Sequence, residues 1–187
     1  MIPVGYMAKK ISEKPDWITA TNTQDIYSVS GHVSHAFAEY IKFWKHNCYW
    51  FFDTPDIIAQ TARDNGIDIS QTKVFYYEVY EKQYNTSEKS WTNFTPESSF
   101  LTNVQPPEKK KLEGYDVVSF SVQTSPECSP LSCNNLAQSI PVNIHCLLQS
   151  FEKAKLELES GQFDSSEPGP FRIFAVYSLP EVSIRSA

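Results

Sequence analysis

The sequence predicts an α+β domain with a mixed or mostly antiparallel sheet of about 5–7 strands and three main helices packed against it. Three observations lead there. Period-two segments rich in Val, Ile, Tyr and Phe crowd the middle and the end of the chain, whereas period-3.6 segments are few and well punctuated. The two kinds do not alternate in the strict order that a parallel βαβ protein needs. A length of 187 residues, 41% of them hydrophobic and 14% aromatic, suits one domain over 1–187 whose core needs no disulfide support.

Residues 2–11 alternate loosely and read as a first strand, with Pro3 tolerated near its start. Residues 14–23 read as a loop and 25–30 as a short β-prone segment stopped by Gly31. From Ser34 the period changes: Phe37, Tyr40, Ile41 and Trp44 form the apolar stripe of a first helix over 34–46, with Ser34 as its N-cap. The run Cys48, Tyr49, Trp50, Phe51, Phe52 reads as a short buried strand. The second helix, Pro55–Asn65, carries the strongest punctuation: Asp53 or Thr54 as N-cap, Pro55 in the first turn, Asp56 against the helix dipole and Gly66 past the end.

Residues 72–84 read as a central strand because both faces are largely apolar or aromatic; 85–89 supply a turn and 90–94 pair back as a hairpin. Residues 95–114, with three prolines and the run Lys109, Lys110, Lys111, read as a long surface connection. A one-sided strand over 115–122 follows, then a Cys/Pro/Ser-rich loop over 124–141 within which 131–139 has the makings of a short helix. Alternation makes 142–148 a strand, Ser150 caps a third helix that Gly161 ends, and 171–179 is the last strand before a flexible tail over 180–187.

A net charge of −6 argues against nucleic acid as a ligand, since phosphate binding needs clustered Lys and Arg. No window approaches the roughly 18 apolar residues of a membrane span and the start lacks a secretory run, so the expected setting is cytoplasmic, with no membrane contact. There the four cysteines are expected to be thiols, metal ligands or redox-active groups rather than structural staples.

Chemistry concentrates between Thr124 and Cys146. Cys128, Cys133, His145 and Cys146 are soft or borderline ligands, but the spacing is not that of a zinc knuckle, and adjacent His145 and Cys146 point apart if they lie on a strand. No cofactor is expected; were zinc to bind, its ligands would be Cys128, Cys133 and Cys146. A nucleophilic reading uses Cys128 with His145 as base and Glu127, Asn134 or Asn143 as orienting group. A redox reading pairs Cys128 with Cys133, because four intervening residues in a Pro- and Ser-rich turn can bring the Cα atoms within bridging distance. The bland alternative makes Cys146 a small core residue.

Cys133, Asn134, Trp91, Tyr76 and Glu78 are the candidate binding residues; Glu78, if interior, needs a cation, for which Arg172 is the candidate. His32 and His35 have a spacing that could share a metal on a helix, and His46 sits where a helix C-terminus favours a cation. No phosphate loop, dinucleotide fingerprint or serine elbow is present. The expected function is therefore an intracellular binding or accessory protein of inhibitor or immunity type. It would act on a protein partner or small molecule through an aromatic surface and the 124–146 loop. A cysteine-dependent enzyme built on Cys128 and His145 is the alternative, and a zinc-stabilised domain the second.

Overall fold

The computed structural model describes residues 1–31, 47, 49–94, 103–120 and 126–180. Its sheet is antiparallel throughout. Strand β1 (Ile2–Lys10) pairs with β4 (Thr72–Val79), and β4 pairs with the last strand, β8 (Phe171–Ser178). On its other side β8 pairs with β7 (Lys111–Ser119) over its whole length, from Lys111 against Ser178 to Ser119 against Phe171. The hairpin of β5 (Lys82–Asn85) and β6 (Ser90–Asn93) joins β8 through Tyr84 and Phe171. Two further short strands, β2 (Ser12–Glu13) and β3 (Asp25–Ile26), pair with each other.

Adjacent residues of β7 and β8 enter opposite cores, as period-two geometry requires. Val118, Phe174 and Val176 join Tyr6, Phe51, Phe52, Phe75 and Tyr77 on one face, where helix α1 (Pro55–Asn65) adds Ile58 and Ala62. Val117, Phe171 and Ile173 join Leu131, Ile140, Leu148, Ala154 and Leu158 on the other, under the short helix α2 (Pro130–Cys133) and helix α3 (Phe151–Glu159). Both faces being covered explains why the strand segments read as continuous apolar runs.

The α+β architecture and the punctuation of two helices are as expected. Thr54 caps α1, accepting from the Ile57 N–H, and Gly66 closes it at φ 64°; Ser150 caps α3, accepting from the Lys153 N–H at 3.1 Å. Several boundaries differ for physical reasons. The strand expected over 72–84 breaks after Val79, where Tyr80 turns its N–H to the Ile173 carbonyl. The strand expected from Tyr115 begins at Lys111, so the long connection is shorter than 95–114, and both Val117 and Val118 are buried rather than one face alone.

Residues 49–52 form a turn instead of a strand: Trp50 takes φ 68°, and Asn47 organises the turn by accepting from the Tyr49 and Phe51 N–H groups. The strand expected over 142–148 is also a turn. Asn143 Oδ1 accepts from the His145 and Leu147 N–H groups, its Nδ2 donates to the Glu113 carbonyl, and Cys146 takes φ 61°; only Leu148 keeps a β-bridge, to Tyr115. The first expected helix, over 34–46, with His32, His35 and His46, lies outside the described residues, as do Cys48, residues 95–102 and 121–125, and all of the tail expected over 180–187 but its first residue. No helix among the described residues is long and apolar enough to cross a membrane.

Candidate functional site

The sulfur cluster is built from the end of β7 outward. Ser119 donates its N–H to the Cys128 carbonyl at 2.9 Å and accepts from the Glu127 N–H at 3.1 Å, which fixes the chain as it leaves the sheet. Ser129 then starts α2, with Pro130 in the first turn, where its missing N–H is harmless. The Ser129 hydroxyl is not spent on capping: it donates to Asp116 Oδ2 at 2.6 Å, in the buried interior. One helical turn later Cys133 returns beside Cys128, and the two form a disulfide with a Cα separation of 6.3 Å. Asn134 Oδ1 lies 3.2 Å from Cys128 Sγ and 3.3 Å from Cys133 Sγ, while its Nδ2 donates to Glu167 Oε1 at 3.0 Å. Cys128, Cys133 and Glu167 bring one potential ligand atom each to within 4.8 Å of one another.

His145 belongs to a different neighbourhood. Its Nδ1 is 2.5 Å from Asp25 Oδ1, its Nε2 is 3.6 Å from Glu113 Oε2, and its ring stacks on Tyr27 with centroids 4.0 Å apart. Burial alone would raise the Glu113 carboxyl, but hydrogen bonds from Ser178 and Lys111 outweigh it and hold the group below its ordinary range. Cys128 sits at Ser119 and His145 at Glu113, six residues along β7 (119 − 113), or roughly 20 Å at a strand rise of about 3.3 Å per residue. The nucleophile and base expected from the sequence are thus not brought together, and Cys128 is committed to Cys133. Cys146 is a separate buried thiol, pushed up to about 12 by its burial, and it does not join the sulfur cluster.

The aromatic binding candidates are engaged within the chain. Tyr76 is fully buried, and its hydroxyl donates to Glu78 Oε1 at 3.2 Å. Glu78 also receives the Tyr177 hydroxyl at 3.0 Å and an ion pair from Lys110, whose ammonium lies over the Tyr76 and Tyr177 rings. Burial would raise Glu78, yet these donors hold it below the usual carboxylate range. The cation is Lys110, not Arg172. The Arg172 guanidinium instead lies 3.4 Å from the Phe94 ring centroid and donates to the Tyr80 carbonyl, and burial pushes it down to about 9. Trp91 packs on Tyr80 and Tyr84 and donates its indole N–H to Glu159 at 2.8 Å.

A buried network unnoticed in the sequence lies under the sulfur cluster. Lys9 on β1 points its ammonium at the carbonyls of Ser28, Val29 and Ser30, and Asp116 on β7 accepts from the Val29 N–H at 2.8 Å as well as from Ser129. Burial drives Lys9 down to about 7 and Asp116 up to about 6, while their mutual attraction works against both shifts. The available signal was a charged residue inside an apolar strand run, present in both β1 and β7.

An accessible concavity among the described residues runs between residues 19–24 and 137–149. The Gln24 N–H donates to the Ile144 carbonyl at 2.8 Å and the Tyr27 N–H to that of His145 at 3.1 Å, which holds the two segments side by side. Two contiguous hollows result, of about 530 Å³ and 220 Å³, sharing Thr21, Asn22 and Val142. Gln24, Asn143, Ile144 and Gln149 complete the larger, and Thr19, Gln138 and Ser139 line the smaller. None of the lining side chains is ionisable.

No protein family, curated protein or solved structure matches this chain.

Proposed function

We propose that this chain is a cytoplasmic binding or accessory protein, of inhibitor or immunity type, whose recognition element is the groove between 19–24 and 137–149. The carrying observation is the groove's lining: carboxamides, hydroxyls and aliphatic groups, with no ionisable side chain that would activate a hydroxyl for chemistry. Such a surface suits an extended, uncharged polar segment of a protein partner, because Asn and Gln present a donor and an acceptor together, as a peptide unit does. Trp17, 58% exposed and two residues before the groove's edge at Thr19, supplies an apolar anchor, and Ile144 at 47% exposure another. The aromatic contribution thus narrows to Trp17, since Tyr76 and Trp91 are held internally.

The competing enzymatic reading finds less support. It needs a free Cys128 thiolate beside His145, and the first is bonded to Cys133 while the second is spent on Asp25. The binding reading is tested by selecting a displayed peptide library against the native chain and against an Asn22→Arg/Gln149→Arg variant. Neutral, polar peptides should be enriched on the native chain and lose at least about tenfold in affinity for the variant, a change of about 1.4 kcal/mol. Absence of enrichment, or equal binding to both, would refute it.

A further inference from the structure

The groups around the Cys128–Cys133 disulfide are arranged as if for something the disulfide does not supply. Asn134 Oδ1 approaches both sulfurs at 3.2 and 3.3 Å, and a Glu167 carboxylate oxygen is drawn into the same cluster. In the oxidised pair neither sulfur carries a hydrogen, so the lone pairs of two sulfurs and of Asn134 Oδ1 face one another, with a Glu167 oxygen within 4.8 Å of both sulfurs. The Asn134 carboxamide cannot relieve this by turning over, because its Nδ2 is the donor that holds Glu167. Lone-pair atoms gathered from two remote stretches of chain, at 128–134 and at 167, leave room for protons or a cation between them.

We propose that the pair is the oxidised form of a redox-gated metal site, and that the dithiol form binds one thiophilic divalent cation of the zinc type. Cys128 Sγ, Cys133 Sγ and a Glu167 carboxylate oxygen are its ligands, with the fourth tetrahedral position left to Asn134 Oδ1 or to water. Reduction consumes two electrons and two protons: a thiol or phosphine reductant breaks the S–S bond, is itself oxidised, and leaves two thiols. Binding Zn²⁺ then releases those two thiol protons to solvent and forms two Zn–S bonds, so the bound and oxidised states exclude each other. The ligand set differs from that expected from the sequence, since Glu167 takes the place of Cys146. The inference is independent of the groove.

The test uses the full chain in two states, air-oxidised and reduced with a phosphine under argon, each titrated with Zn²⁺ against a chromogenic chelator and with Co²⁺. The reduced chain should take up one zinc, give a thiolate-to-cobalt charge-transfer band and release two protons; the oxidised chain should do none of these. Glu167→Gln should weaken zinc binding by at least about tenfold while keeping the charge-transfer band, and Cys146→Ser should leave stoichiometry unchanged. X-ray absorption at the zinc edge of the unmutated reduced chain should show two sulfur neighbours at about 2.3 Å plus oxygen, a readout that needs no variant to fold. Equal uptake by both states, unchanged affinity in Glu167→Gln, or a sulfur count other than two would overturn the proposal.

Discussion

Replacing Lys9 with Met probes the buried network that ties β1, β7 and the 28–30 segment together. The substitution keeps most of the aliphatic stem and removes the ammonium. Three buried carbonyls, of Ser28, Val29 and Ser30, then lose a donor, and Asp116 loses the attraction of the Lys9 ammonium. Leaving a buried acceptor without its donor costs about 1–3 kcal/mol, and the lost attraction at Asp116 comes besides. Adding Asp116→Asn removes the carboxylate charge, so the double variant should lose less than the sum of the single losses, with a coupling of about 1–3 kcal/mol. Urea unfolding at pH 7 with two probes measures all four corners of the cycle.

The pH dependence has a definite sign. Asp116 titrates near 6 when folded, above its ordinary 3.8, so its stabilising contribution is present at acid pH and is lost as pH rises through that window. Lys9 titrates near 7 when folded, below its ordinary 10.5, so its contribution is present at alkaline pH and is lost as pH falls toward 7. Together they place a stability minimum near pH 6–7, and Lys9→Met should flatten its alkaline side. A loss under about 1 kcal/mol for Lys9→Met, or strict additivity in the cycle, would refute the reasoning.

Three other outcomes are expected. Gly114→Ala should destabilise by at least about 1–3 kcal/mol in thermal unfolding: Gly114 takes φ 150° at the β7 bulge, and an added Cβ would lie 2.7 Å from Leu147 Cβ and 2.8 Å from the Leu148 carbonyl. Asn143→Ala should cost about 3 kcal/mol, roughly one for each of its three backbone hydrogen bonds, and should loosen 143–147 in hydrogen exchange. Reducing the Cys128–Cys133 bond without metal should cost only about 2 kcal/mol in urea unfolding, because the loop it closes spans a sequence separation of 5 and little chain entropy is at stake.

The elements legible in the sequence are those whose cause is local. Thr54, Pro55 and Gly66 mark α1 by side-chain capping, a fixed φ and a left-handed stop, and Ser150 marks the start of α3 by side-chain capping; none of these depends on distant residues. The closeness of Cys128 and Cys133 was legible too, since a single Pro-started turn brings them together. Period-two alternation failed at 142–148 because Asn143 competes for the backbone with its own side chain, a choice settled by the Glu113 carbonyl that it also reaches.

Of the candidate site, the sequence by itself determined the reactive residue types and allowed the Cys128–Cys133 pair as one of several readings. Only the tertiary structure decided that His145 goes to Asp25 and Glu113 rather than to Cys128, because β7 separates them by six residues of extended chain. It likewise decided that Glu78 meets Lys110 and that Glu167 joins the sulfurs through Asn134. Charge pairing and ligand convergence between remote segments depend on strand register, which local propensity does not encode.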